Sequence, residues 1–254
     1  MSGHILAIDA GNTRIKWGLH DGKEWVSREA AAVARIENNI AFQDVLKASK
    51  IDRIVVSNVV GPSIAKLLED QFRLLGKKPI FITAQARHCG VVNRYNRPEQ
   101  LGSDRWAALI AARDAAKNAP RAQLVVMCGT ALTADALSAS GQFLGGIIVP
   151  GLRLMRRALN RATAQLPDAA GEYQRFPTNT ENAITTGAVA ACAGAVDRMY
   201  AYLAAETGEV PFCIGSGGAI NDLAPYLSFP LSINDNLVLD GLLVIANTPE
   251  FHPS

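Results

Sequence analysis

The segment Asp9-Ala10-Gly11-Asn12-Thr13-Arg14-Ile15-Lys16 places a carboxylate at the end of an apolar run and a glycine two residues later. Glycine lets backbone N–H groups approach a ligand closely, and such a turn can cradle phosphate. In that reading the whole stretch Asp9 to Lys16 is a candidate ATP contact: Asp9 holds Mg²⁺ directly or through water, Asn12 and Thr13 bond phosphate oxygens, and Lys16 adds a cation. The competing reading is an ordinary hairpin whose Asp and Asn satisfy turn amides. A second turn, Cys128-Gly129-Thr130-Ala131-Leu132-Thr133-Ala134-Asp135, supplies another glycine and two hydroxyls. A third, Cys213-Ile214-Gly215-Ser216-Gly217-Gly218-Ala219, leads from a strand into a glycine-rich turn that a flat ring and ribose could approach. Two phosphate turns facing each other would clamp a polyphosphate, with Thr130, Gly215, Gly217 and Gly218 as the nucleotide contacts of the second half.

Gly102-Ser103-Asp104-Arg105 opens a helical segment running to Asn118, with Ser103 placed as its cap. A carboxylate in a first helical turn is favoured in its ionised form by the macrodipole and free amides, so Asp104 is the candidate base for a hydroxyl proton. Arg105 offers a planar fork for a carboxylate. The competing reading is a helix-start carboxylate beside a solvated arginine. Arg153, Arg156, Arg157 and Arg161 form either a steering patch for an anion or a solvated helix face. His4, His20, His88 and His252 are scattered, and Cys89, Cys128, Cys192 and Cys213 form no C-x-x-C pair. Zinc sites and histidine-based hydrolase triads therefore find no ligand set, and a reducing cytoplasm suits the thiols.

These turns need elements to hold them. His4 to Ala10 and Ile15 to His20 read as strands around the first turn, closed by Asp21-Gly22; Gln123 to Met127 and Leu132 to Leu137 repeat the pattern around the second, closed by Ser140-Gly141. The same punctuation twice predicts two related halves. Between and after them, Phe42–Ser49, Pro62–Leu75, Ser103–Asn118, Gly151–Ala162, Asn182–Ala205 and Asn236–Ala246 read as helices. Arg53–Val60, Lys78–Thr83 and Val210–Ile214 read as strands. This alternation predicts an α/β architecture, divided here into residues 1–119 and 120–254. At 254 residues and 49% hydrophobic, the chain can bury an extensive core. A net charge of +2 without blocks of like charge predicts neither a nucleic-acid nor a membrane-surface partner. The N-terminus lacks a basic region before its short apolar run, and LVLDGLLVIA is well short of a span, so a cytoplasmic location is expected.

Taken in order, DAGNTRIKWG, YNRPEQLGSDRWAAL, CGTALTAD, GQFLGGIIVPGL, NTENAITTG and GSGG resemble the type III pantothenate kinases over nearly the whole chain. The resemblance implies two ribonuclease-H-like, actin-like halves with a nucleotide cleft between them, and transfer of the ATP γ-phosphoryl to pantothenate as the first step towards coenzyme A. It implies that Asp104 is the catalytic base, and that Tyr95, Gly102, Ser103, Asp104 and Arg105 bind pantothenate. Thr180 would reach pantothenate from the second subunit of a homodimer, although Asn179-Thr180 also suits a plain helix cap. It further implies Mg²⁺ and an activating monovalent cation, K⁺ or NH₄⁺. One departure stands out: Met127 occupies the place of the family's cation-binding aspartate, and a thioether cannot replace that carboxylate for K⁺. Other groups complete the cation site, or the requirement weakens, or activity falls. Asp135 keeps a carboxylate nearby, pointing elsewhere on a regular strand. The alternatives to this activity are a kinase of the same superfold for another hydroxylated acceptor, and a non-catalytic nucleotide-binding regulatory protein.

Overall fold

The computed structural model of the chain describes residues 3–33, 51–162 and 171–251; the helix expected at Phe42–Ser49 lies outside them. The chain divides into two compact units, Met1–Lys117 with Asn236–Ser254, and Asn118–Asp235.

Unit 1 is built on β1 (His4–Ala10), β2 (Arg14–His20), β3 (Trp25–Ala32), β4 (Ile51–Asn58) and β5 (Ile80–Phe81), in the order β3-β2-β1-β4-β5. The first three strands run antiparallel, while β4 and β5 run parallel to β1. The hairpin after β2 closes where Asp21 Oδ1 accepts from the amides of Lys23 and Glu24 and Gly22 takes a φ of 97°, a left-handed conformation that suits glycine. A short hairpin follows, β6 (Arg87–His88) and β7 (Val91–Asn93). Helices α1 (Pro62–Arg73), α2 (Ser103–Ala115) and, from the C-terminal segment, α6 (Leu237–Ala246) complete the unit. Side chains alternate across the sheet. Leu6, Ile8, Ala10, Ile15, Trp17, Leu19, Ile54 and Val56 close one core with Ile64, Leu68 and Phe72, the i, i+4, i+8 stripe of α1. Each of these larger side chains stabilises the unit by ~1.5–3 kcal/mol on burial.

The other face of the sheet carries Asp9 and Ser57 and is the side where α2 and α6 enter. Trp106 to Ala112 of α2 are all buried, and α6 packs on α2, β1 and β4. A Cβ at Gly241 would run into the backbone of Ala107, so only glycine permits this approach. The sequence reading grouped α6 with the second half; it belongs to unit 1, because a helix apolar nearly all round must be covered on more than one side.

Unit 2 repeats the plan. Its strands β8 (Gln123–Cys128), β9 (Ala131–Leu137), β10 (Gln142–Pro150), β11 (Phe212–Ser216) and β12 (Ser232–Ile233) stand in the order β12-β11-β8-β9-β10. Antiparallel and parallel pairs match those of unit 1 one for one. Helices α3 (Leu152–Ala162), α4 (Thr180–Thr207) and α5 (Ile220–Leu223) accompany them. Leu124, Val126, Cys128, Leu132, Ala134 and Ala136 form the core with Ala188, Val189, Cys192 and Val196 of α4. Asn179 caps α4 by accepting from the Asn182 amide at 2.8 Å, and Gly208 ends it in the left-handed region. The chain is thus α/β, with five strands of one shared topology in each unit. No helix among the described residues is long and apolar enough to cross a membrane.

Candidate functional site

In unit 1 the first turn folds as a tight hairpin in which the Gly11 amide donates to the Arg14 carbonyl at 3.1 Å. A Cβ at Gly11 would lie 3.1 Å from that same carbonyl, so the turn has little room for a side chain there. Asn12, Thr13 and Arg14 are exposed. Ala10 and Ile15, expected among the ATP contacts, turn their side chains into the core, so only their backbone can serve a ligand. Asp9 lies opposite Lys16 in the antiparallel register and beside Ser57 in the parallel one. Its Oδ1 is buried without a hydrogen-bond partner. Burial, and then the charge of Asp104, push the Asp9 carboxyl up to about 7, against the pull of Lys16.

An unpartnered buried carboxylate oxygen with a second carboxylate in electrostatic range is what a divalent cation completes. Among the described residues there is no group of three or more His, Cys, Asp or Glu that could hold a metal. Mg²⁺ fits such a sparse set, because it keeps several waters and takes one or two carboxylates together with substrate phosphates.

Asp104 stands in the first turn of α2. Gly102, not Ser103, occupies the cap position, and no side chain caps the helix. Ser103 instead places its hydroxyl 2.9 Å from that of Ser57. The cap assignment therefore fails, since Ser103 already has helical geometry and a buried partner. Asp104 Oδ1 accepts from the Arg105 amide at 2.7 Å. Burial nevertheless raises the Asp104 carboxyl above its ordinary value, outweighing the Arg105 amide and guanidinium. The expectation that the helix start would favour the ionised form is corrected by desolvation, which wins here. A Cβ on Gly102 would come within 2.6 Å of Asp104 Oδ1, which explains the glycine two residues before the aspartate.

Arg105 is only 5% exposed and donates from Nη1 to the Tyr95 hydroxyl at 3.3 Å, so it is no solvated arginine. Asn93, which the sequence did not single out, holds the Tyr95 loop. Its Oδ1 accepts from the Tyr95 amide at 3.0 Å, and its Nδ2 donates to the Pro98 carbonyl at 3.1 Å. Tyr95, Gly102, Ser103, Asp104 and Arg105 thus share one corner of unit 1.

In unit 2 the second and third motifs meet. The Ala219 amide donates to the Cys128 carbonyl at 3.0 Å, and Gly217, at φ 103°, passes so close to the Cys128 backbone that no side chain fits. The Gly151 amide donates to the Thr130 carbonyl at 2.9 Å, leaving the exposed Thr130 side chain at the turn surface. Gly218 is exposed with open space around it, whereas Gly215 is buried against the side chains of Leu231 and Ile220. Gly215 is a packing glycine. Thr180 follows the capping Asn179, so its exposed hydroxyl is not committed to the cap. Within NTENAITTG, Asn182, Thr185 and Thr186 accept from the amides of Glu172, Gly171 and Gln174, fastening the segment ahead of α4. That role was not read from the sequence.

Met127 sits opposite Thr133 across the β8–β9 pair, and Val125 opposite Asp135. Directly paired and alternate residues share a face, so Asp135 points to the same side as Met127, contrary to the expectation of a different direction. Asp135 is fully buried, and Thr133 has a buried hydroxyl without a partner. On that face the thioether of Met127 is accompanied by the Thr133 hydroxyl and the Asp135 carboxylate, fewer hard side-chain oxygens than a K⁺ site asks for. Arg153, Arg157 and Arg161 are exposed along α3. The thiols of Cys128, Cys192 and Cys213 are raised by burial to about 12, 11 and 12, so they stay protonated and unreactive.

Comparison with known proteins identifies the family and the fold. The type III pantothenate kinase family model matches residues 5–202. The type III pantothenate kinase of Aromatoleum aromaticum is 48% identical over 243 residues, covering 95% of this chain and 97% of the relative. A solved structure from Campylobacter jejuni, described as a Baf family transcriptional activator, is 20% identical with a TM-score of 0.58, covering 95% of this chain and 96% of that one. A glucokinase from an Antarctic psychrotroph is 12% identical with a TM-score of 0.52, covering 98% and 100%. At such identities these two structures speak for the fold alone, which is that of the actin-like ATPases and sugar kinases.

Proposed function

The chain belongs to the type III pantothenate kinase family, and from that premise we propose that it transfers the ATP γ-phosphoryl group to the hydroxyl of pantothenate, forming 4′-phosphopantothenate for coenzyme A synthesis. The observation that carries the catalytic assignment is the pairing of two partly buried carboxylates with raised pKa, Asp9 at the end of β1 and Asp104 at the start of α2, on the same face of unit 1.

Asp104 is the base. Its Oδ1 is held by the Arg105 amide, which leaves Oδ2 to take the alcohol proton. As that proton moves, the pantothenate oxygen bonds to the γ-phosphorus, the bond to the β–γ bridging oxygen breaks, and ADP departs with the electron pair. A loose phosphoryl-transfer transition state needs alignment and charge neutralisation more than a strong base. A carboxyl raised by burial still gains some basicity towards the operating range. Arg105 and Tyr95 receive the pantothenate carboxylate and backbone, with Gly102 and Ser103 lining the approach. Asp9, whose Oδ1 has no hydrogen-bond partner, would hold Mg²⁺ directly or through water, and the ion when bound would supply neutralisation of phosphate charge.

Asn12, Thr13, Arg14 and Lys16, with the backbone of Gly11, take the phosphates in unit 1. In unit 2, Thr130, Gly217 and Gly218 serve the nucleotide. No step is routed through a monovalent cation, because the residues around Met127 do not fit one. The protein acts in the cytoplasm as a homodimer in which Thr180 completes the partner's pantothenate site, and it needs neither nucleic acid nor membrane. The test is ATP- and Mg²⁺-dependent formation of 4′-phosphopantothenate by the purified protein, read by mass, beside a panel of other alcohols. A wild type that makes no product above the Asp104→Asn variant, with any cation supplied, ends the proposal.

A further inference from the structure

We infer that Ser57 is a positioning residue for the catalytic carboxylate, acting through Ser103; this rests on the function proposed above. Ser57 stands beside Asp9 in the parallel register of β1 and β4, so both side chains leave the sheet on the face that receives α2. It is fully buried, and its hydroxyl meets that of Ser103 at 2.9 Å. Ser103 is the first residue of α2 and the one immediately before Asp104. Because Gly102 brings no side chain to cap the helix, this hydroxyl pair ties the helix start to the strand next to Asp9.

The chain just after Ser57 is held as well. Asn58 Oδ1 accepts from the amides of Val60 and Gly61, Asn58 Nδ2 donates to the Gly61 carbonyl, and the Val59 amide donates to the Ala10 carbonyl at 3.1 Å. The chain of contacts therefore runs from Asp9 across the sheet to Ser57, over the hydroxyl pair to Ser103, and along one peptide to Asp104. It sets the spacing between the metal-side carboxylate and the base. Removing the Ser57 hydroxyl leaves that of Ser103 buried without its partner and frees the helix start to shift. A displacement of about 1 Å at reacting groups costs on the order of a hundredfold in rate, so a shift of a few tenths is read as about tenfold.

The experiment measures kcat and KM for ATP and pantothenate in Ser57→Ala, Ser103→Ala and the double variant, with melting temperatures. Ser57→Ala is expected to lower kcat about tenfold with either KM changed less than about twofold. The double variant is expected to show no further loss of kcat beyond Ser103→Ala, since both remove one link. A Ser57→Ala enzyme with wild-type kcat, or kcat losses that multiply in the double variant, overturns the inference. If the wild type makes no phosphorylated product, the function reading falls instead. The positioning claim is then judged from crystal structures of wild type and Ser57→Ala, and an Asp104 carboxylate in the same place in both overturns it.

Discussion

The charge of Asp104 bears on Asp9: after burial, it is the main cause that lifts the Asp9 carboxyl to about 7. The two carboxylates come from distant parts of the chain. They are brought into range because α2 lies against β4 on the face of the sheet that does not pack against α1.

Asp9 makes the metal-free protein lose stability as pH rises. The ordinary carboxyl value is 3.8 and the folded one about 7, so between them the folded chain binds more protons than the unfolded one, and each pH unit upward favours unfolding. At about 1.36 kcal/mol per unit the whole interval is worth ~4 kcal/mol at most. Melting curves in EDTA from pH 5 to pH 8 should show the wild type falling relative to Asp9→Asn, which has no carboxyl to ionise. Parallel curves for the two proteins would remove the basis for a raised Asp9.

Asp104→Asn should keep the fold and lose the rate. The amide retains an oxygen to accept from the Arg105 N–H, while the base is gone. A fall in kcat of about 10²–10⁴ is the usual worth of a general base. The check is steady-state kinetics beside a thermal melt; a loss of less than about tenfold would point to another base.

Gly102→Ala tests the room left for that base. Its backbone angles suit alanine, so strain in the main chain is not the issue. The added Cβ would crowd Asp104 Oδ1, which the Arg105 amide holds in place. We expect kcat to drop by about tenfold or more with the melting temperature little changed. An unchanged kcat would show that the carboxylate swings aside without consequence.

Met127 should set the response to monovalent ions. The wild type should turn over equally well in K⁺, NH₄⁺ and Na⁺ at constant ionic strength. Met127→Asp places a carboxylate opposite Thr133 and beside Asp135 on one face of β8 and β9, and this variant should acquire stabilisation by K⁺ over Na⁺ in a thermal melt. A wild type that needs K⁺ would mean that other oxygens build the site.

Much of this was legible in the residues in order. Strand–turn–strand punctuation around Asp9 and again around Cys128, and the alternation of helices and strands, follow from local rules of periodicity and turn chemistry that act within a few residues. β3 was not legible: WVSREAAA is half exposed and rich in alanine, so it carries weak alternation and becomes a strand because β2 offers it an edge. β10 was hidden by its Gly145-Gly146 pair, which breaks the apolar pattern where the strand is bulged.

By itself, then, the sequence determined most of the elements, the repeated plan and which side chains are candidates to react, because propensity and motif spacing are local. Tertiary structure alone decided that α6 returns to unit 1, that Ser103 pairs with Ser57 rather than capping, that Asp135 shares a face with Met127, and that burial outweighs the helix dipole at Asp104. Each of these depends on which surfaces exclude water together. Desolvation and register are properties of chain segments far apart in sequence, so no short window of residues contains them.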